Sequence, residues 1–185
     1  MIGLGLYSCQ ARRSAKCQFE HVMSVAATSV SPATFRDACA LFATGVAVAC
    51  VTDPDGNPHG LTISSFTGVS LAPPLILICI DGSCKLLQYF RISQFFAVNV
   101  LNHAQQHLST AFAVKPERRF EGVPWHAGHA GVPLLDGALA TIECRTTSVI
   151  EAGDHAVIFG EVVHAALSPG EPLVYYNRNY RTLGP

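Results

Sequence analysis

Gly60-Leu61-Thr62-Ile63-Ser64-Ser65-Phe66-Thr67-Gly68-Val69-Ser70-Leu71-Ala72-Pro73-Pro74 is the stretch on which the reading of this chain turns. A half-buried strand alternates apolar residues with polar residues of mixed kind. Here the polar positions are hydroxyls, at Thr62, Ser64, Ser65 and Thr67, and the segment ends in a Pro-Pro turn. Small hydroxyl side chains leave room for a flat ligand to approach the backbone, and they supply uncharged donors and acceptors. Taken alone, the composition favours a plainer reading, an edge strand with a polar face.

Working outward, Val46–Val51 is a β-rich run and Asp53-Pro54-Asp55-Gly56-Asn57 is a turn, so a hairpin joins that run to a returning strand at Gly60–Ser64. Further apolar runs occupy Leu75–Ile80, Phe95–Leu101, Ala138–Cys144 and Ala156–Val163. Ser31-Pro32 starts a helix, with Phe35, Ala38, Leu41 and Phe42 at helical spacing and Gly45 to end it. Short helices fit Lys85–Arg91 and Ala104–Phe112, the second capped by Asn102, while residues 115–135 read as a long loop. Five or more strands and three modest helices do not alternate as βαβ units would. The pattern predicts a mainly β protein, an antiparallel barrel with peripheral helices.

The chain has 185 residues, 49% hydrophobic and only 14% charged. One domain with a well-filled core follows, and disorder of the body is excluded. A net charge of −1 without a basic stripe argues against nucleic acid. The run Leu75–Ile80 falls far short of the roughly 20 residues needed to cross a bilayer. Seven cysteines without a C-x-x-C pair, several of them inside apolar runs, read as reduced thiols in a cytoplasmic protein. Residues 1–30 read as a disordered extension ahead of a domain over 31–185, with Met23 as an alternative start. Their apolar stretch precedes Arg12 and Arg13, the reverse of a signal peptide.

His103 and His107 stand at i and i+4, a spacing that can bind zinc, but the zincin motif needs Glu where Ala104 stands. Surface histidines are the expected reading, and no metal is expected. No G-x-S-x-G elbow and no P-loop is present.

The hydroxyl segment, Leu75–Ile80, Phe95–Leu101, Ala152-Gly153-Asp154-His155 with Gly160-Glu161-Val162, and the closing Pro172–Tyr176 with Tyr180 occur in a fixed order. Together they resemble the flavin reductase family of short-chain, FMN-binding split-barrel proteins, across about residues 33–183. These include the reductase components of two-component flavin-dependent monooxygenases. The resemblance implies a six-stranded antiparallel split β-barrel that forms a homodimer. It also implies FMN or FAD at the subunit interface, NADH or NADPH as hydride donor, and a partner oxygenase that receives the reduced flavin.

Carried over by resemblance, Thr62, Ser64, Ser65 and Phe66 line the flavin. The turn Asp81-Gly82-Ser83-Cys84-Lys85 holds its phosphate and ribityl chain, with Ser83 capping a helix and Lys85 adding charge. The turn departs from the family, which often has a second hydroxyl residue where Cys84 or Lys85 stands. Asn99 contacts the flavin's polar edge or ribityl chain. Asp154 and His155 belong to the nicotinamide site, with His155 as the catalytic residue. Tyr180 packs beside the cofactors, and Arg118, Arg119 and Phe120 form an Arg-Phe element. Two other readings stand beside this one: a flavin-storage protein without reductase activity, and a metal-binding or interaction domain using the histidines.

Overall fold

The computed structural model describes residues 30–114 and 119–183. The expected extension lies outside the described residues except for Val30, and so does Arg118. Ser31 accepts the Thr34 N–H at 3.1 Å and opens α1 (Pro32–Ala40). The helix stops at Ala40 rather than Gly45, because Thr44 and Gly45 pair instead as β1 (Thr44–Gly45). There follow β2 (Ala47–Thr52), β3 (Pro58–Ile63), β4 (Thr67–Leu71), β5 (Pro74–Asp81), α2 (Leu87–Ile92) and β6 (Phe95–Val100). A 3-10 turn over His103–Gln105 leads into α3 (Gln106–Val114). Asn102 accepts the Ala104 N–H at 2.8 Å and the Gln105 side chain accepts the Asn102 N–H at 3.1 Å, so the expected cap is a full capping box. The chain closes with β7 (Trp125–Ala127), β8 (Pro133–Leu135), β9 (Ala140–Ala152), β10 (His155–Leu167), β11 (Val174–Tyr176) and β12 (Asn179–Arg181). The stretch read as a long loop therefore carries a short hairpin, β7 with β8.

The main sheet is antiparallel, in the order β3-β2-β6-β9-β10-β5-β4, one strand more than the six expected. Its two edge strands, β3 and β4, are consecutive in the chain and joined only by Ser64-Ser65-Phe66. The sheet must therefore curl until its edges meet, which makes it a split barrel. Ser65 anchors the bend between the two edge strands. Its Oγ accepts the Cys79 N–H at 2.9 Å and donates to the Cys79 carbonyl at 3.0 Å, tying the β3–β4 bend to β5.

β2 explains why the sequence shows an unbroken apolar run there. Ala47, Ala49 and Val51 face the barrel interior with Ile78, Ile80, Phe90, Phe96 and Ile158. Val48 and Cys50 point the other way, into a second cluster with Leu101, Phe112, Leu134 and Leu135. A strand covered on both faces has no polar side to display. Phe90 brings α2 against the barrel interior, and Phe112 brings α3 against the outer face.

Candidate functional site

β5 ends and β10 begins at one corner of the barrel, where Asp81 and His155 are register partners. Gly153, at φ 64°, makes the tight reversal between β9 and β10, a left-handed conformation that favours glycine. The Gly82 N–H donates to the Asp154 carbonyl at 2.8 Å, so the Asp81–Ser83 turn and the Gly153-Asp154-His155 hairpin are locked together. Asp81 Oδ1 accepts from the Ser83 hydroxyl at 2.6 Å and the Ser83 N–H at 2.7 Å. These bonds, with His155 nearby, hold the Asp81 carboxyl below the usual carboxylate range. His155 Nδ1 lies 2.7 Å from Asp154 Oδ1, which orients the imidazole and points to Nε2 as its other working nitrogen. Ser83 does not cap a helix as expected: its hydroxyl is taken by Asp81, and α2 begins after Leu86 without a side-chain cap.

Beyond this corner opens a cleft of about 820 Å³, within the range of about 300–1,000 Å³ usual for small-molecule sites. Cys84, Lys85 and Tyr89 line one wall, His59 and Gly60 another, and Arg119 and Phe120 a third. Arg119 Nη1 donates to the Gly60 carbonyl at 2.7 Å. Burial lowers its pKa, while the neighbouring Cys84 works in the opposite direction. Gly60 is required here, since a Cβ would meet Phe112 Cε1 at 2.8 Å.

The hydroxyl segment is divided in its duties. Thr62 Oγ1 donates to the Ser109 carbonyl at 2.7 Å, and Ser109 Oγ lies 2.8 Å from the Tyr180 hydroxyl, so Thr62 and Tyr180 are joined through α3. Ser65 is held by Cys79. Ser64 is exposed, and together with Phe66 and Thr67 it lines a second pocket of about 480 Å³ beside Thr44–Ala47.

Asn99 departs from the expected flavin contact. It is fully buried; its Oδ1 accepts the Leu135 N–H at 2.9 Å, and its Nδ2 is 3.3 Å from the Val48 and Pro133 carbonyls. A side chain occupied in this way pins β8 onto β2 and has nothing left for a ligand. The structure thus brings Asp81, Ser83, Asp154 and His155 together at one corner and sets Lys85 in the adjoining cleft. Ser64 and Phe66 line the other pocket. Sequence reading missed His59, Tyr89 and Ser109; only the carboxylate of Asp53, six residues before His59 across a tight turn, offered a signal for the first.

Among the described residues no group of three or more His, Cys, Asp or Glu side chains is arranged to hold a metal ion. His107 Nδ1 lies 3.1 Å from the Ala104 carbonyl, and His126 pairs with Asp136 at 2.7 Å.

Residues 39–184 match the model of the flavin reductase like domain. The chain belongs to the flavin reductase-like family. A Rhizobium meliloti protein named as a probable flavin reductase is 40% identical over 151 residues, or 82% of this chain and 49% of its own length. The chain thus spans about half of that relative. The reductase subunit of a flavin-dependent monooxygenase from Mycobacterium tuberculosis is 36% identical, with 84% of each chain covered. The solved structure of a Streptomyces globisporus NADH:FAD oxidoreductase in complex with NAD and FAD fragments is 35% identical. It superposes with a TM-score of 0.78, covering 83% of this chain and 93% of that one.

Proposed function

We propose that this flavin reductase-like chain is an NAD(P)H:flavin oxidoreductase. It passes a hydride from NADH or NADPH to FMN or FAD and supplies reduced flavin to a partner monooxygenase. It acts as a homodimer in the cytoplasm. The observation that carries the reading is the locked corner, where the Gly82–Asp154 bond sets the Asp81–Ser83 turn against the imidazole of His155 beside a cleft lined by Lys85 and Arg119.

The residues fit a phosphorylated flavin. Two cations line the cleft for a phosphate, and the exposed Ser64 and half-buried Phe66 offer a hydroxyl and an apolar ring for a flat heterocycle. Flavin and nicotinamide supply the redox chemistry when bound, and the protein's part is binding, alignment and electrostatics. Lys85 and Arg119 attract and seat the phosphate. Asp154 fixes the His155 ring, and His155 holds or delivers a proton at Nε2. The fixed hairpin keeps these groups in place at no reorganisation cost during turnover.

Spectral titration with FMN and FAD, followed by anaerobic addition of NADH or NADPH, tests the reading. Bleaching of the flavin absorbance is expected. Flavin binding with no oxidation of either nicotinamide would overturn it in favour of a storage protein.

A further inference from the structure

Glu143 is a charged group that the proposed reaction does not use. Its carboxylate is fully buried on β9, with one oxygen accepting the His129 N–H at 3.1 Å and the other the Ala130 N–H at 2.7 Å. A register shift between Val162 and His164 in β10 sets His164 opposite Glu143. His164 Nδ1 is itself buried, faces Glu143 Oε1 at 3.4 Å and forms no hydrogen bond with any described residue. The ring of His129 lies against that imidazole, with centroids 4.2 Å apart. One buried carboxylate thus serves two imidazoles in contact.

The other charges around the cluster are already engaged. Arg145 and Glu161, further along β9 and β10, are bound to each other at 2.5 Å, and Asp136 is taken by His126 at 2.7 Å. On β6 the register partner of Glu143 is Ala97. On β2, Thr52 donates to the Gly131 carbonyl at 3.1 Å, and the adjoining Asp53 is bound to His59 at 2.8 Å. The Cys144 thiol is raised by burial and by the Glu143 charge, so it is neutral at ordinary pH. One proton on the imidazole pair therefore balances Glu143, whereas a second sets two cations against each other with one carboxylate between them. His129 is the exposed ring of the two, and its backbone N–H is one of the bonds to Glu143, so displacing that ring loosens the loop.

That loop adjoins the cleft. It follows directly on β7, whose Trp125 meets Phe120 edge-on with centroids 5.6 Å apart, and Phe120 meets Phe112 in the same way at 5.0 Å. Phe120 and Arg119 are the third wall of the cleft. We propose that Glu143, His164 and His129 form an acid-sensitive latch. It holds the loop after β7 on the barrel while the imidazole pair carries one proton. It releases the loop when both rings are charged, and so frees the cleft wall tied to it through Phe120 and Trp125. The latch stands independently of the reductase reading.

Trp125 is the only tryptophan in the chain, so its fluorescence reports on this wall directly. The test is acrylamide quenching of the full chain between about pH 8 and about pH 5, the range in which imidazoles titrate. In the wild type the quenching constant should rise on the acid side. His129→Gln and His164→Gln should each flatten the rise, since either leaves one imidazole for one carboxylate. His126→Gln removes the imidazole next to Trp125 and should keep the rise. Amide exchange of the wild type supplies a check without substitutions. Over the same range, protection at His129 and Ala130 should fall about tenfold, an ordinary size for coupling between two sites, while protection along β2 stays constant. A flat profile in the wild type, or a rise that persists in either His129→Gln or His164→Gln, would overturn the latch. So would a rise abolished by His126→Gln, unchanged protection at Ala130, or an equal loss of protection along β2.

Discussion

The hydroxyl of Tyr180 lies 2.8 Å from Ser109 Oγ, fastening the C-terminal strand pair to α3, while Thr62 donates to the Ser109 carbonyl from the other side. One helix residue therefore joins the strand that lines the candidate cleft to the end of the chain. Tyr180→Phe should cost about 0.5–1.5 kcal/mol, the usual net value of a partly buried hydrogen bond. Urea denaturation measures it. A double-mutant cycle with Ser109→Ala should return a coupling energy of similar size, and strict additivity of the two changes would contradict the bond.

Ser65 offers a sharper test of how the split barrel is closed. Its hydroxyl satisfies both backbone groups of Cys79, and Ser65→Ala leaves an N–H and a carbonyl without that partner. The expected loss is about 1–3 kcal/mol. Amide exchange at Cys79 should accelerate by more than at Ile78, which pairs with β10 through Ile158. Equal acceleration at both amides would mean that the hydroxyl does not hold the split.

Glu143 is a fully buried carboxylate on β9 that accepts the His129 N–H at 3.1 Å and the Ala130 N–H at 2.7 Å, one on each oxygen. Glu143→Gln would turn an NH₂ group toward one of those N–H donors. A loss of about 1.5–3 kcal/mol is expected, as for hydrogen bonds to charged groups. Gly128→Ala should act on the same contact, since its Cβ would lie 2.6 Å from the Glu143 carboxyl carbon. Thermal unfolding of both variants checks this, and a wild-type midpoint for either would refute the account.

Two buried thiols give the protein an alkaline limit. Burial pushes Cys144 from the ordinary value of 9.0 up to about 12 and raises Cys50 as well. Below pH 9 both thiols are protonated whether the chain is folded or not, so they leave stability unchanged. Above it the unfolded chain loses these protons first, and stability falls as pH rises through the window from 9.0 to about 12. Urea titrations between about pH 8 and 11 should show the decline, with a shallower slope in Cys144→Ala. In the native protein at neutral pH, iodoacetamide should label the exposed Cys39 and spare Cys50 and Cys144.

Much of this was legible in the sequence, and the failures have physical causes. The Asp53–Asn57 turn, the paired strands and the Asn102 cap are local signals, and each stands where the residues placed it. The end of α1 was missed because Thr44 and Gly45 are recruited by a strand about 130 residues later, a pairing that no local pattern records. The family resemblance sets Asn99 at a flavin contact, but its amide is taken by the Leu135 N–H and the Val48 carbonyl, long-range partners that no local pattern records. The His59–Tyr89 stack was invisible for a like reason, being a contact between β3 and α2.

His155 provides the test closest to the chemistry. Its Nδ1 is held by Asp154 at 2.7 Å, and it is the register partner of Asp81 at the locked corner. If it holds or delivers a proton, His155→Ala should lower kcat for NADH-driven flavin reduction by about 10²-fold, the lower end of what a positioned acid or base contributes. His155→Ala should also lose one limb of the pH profile. Asp154→Asn should leave the ring in place but weaken its orientation, giving a smaller fall in kcat and a displaced limb. A purely structural role would lower both kcat and thermal stability and leave the pH profile of the residual activity with its wild-type shape. That outcome would remove His155 from the reaction.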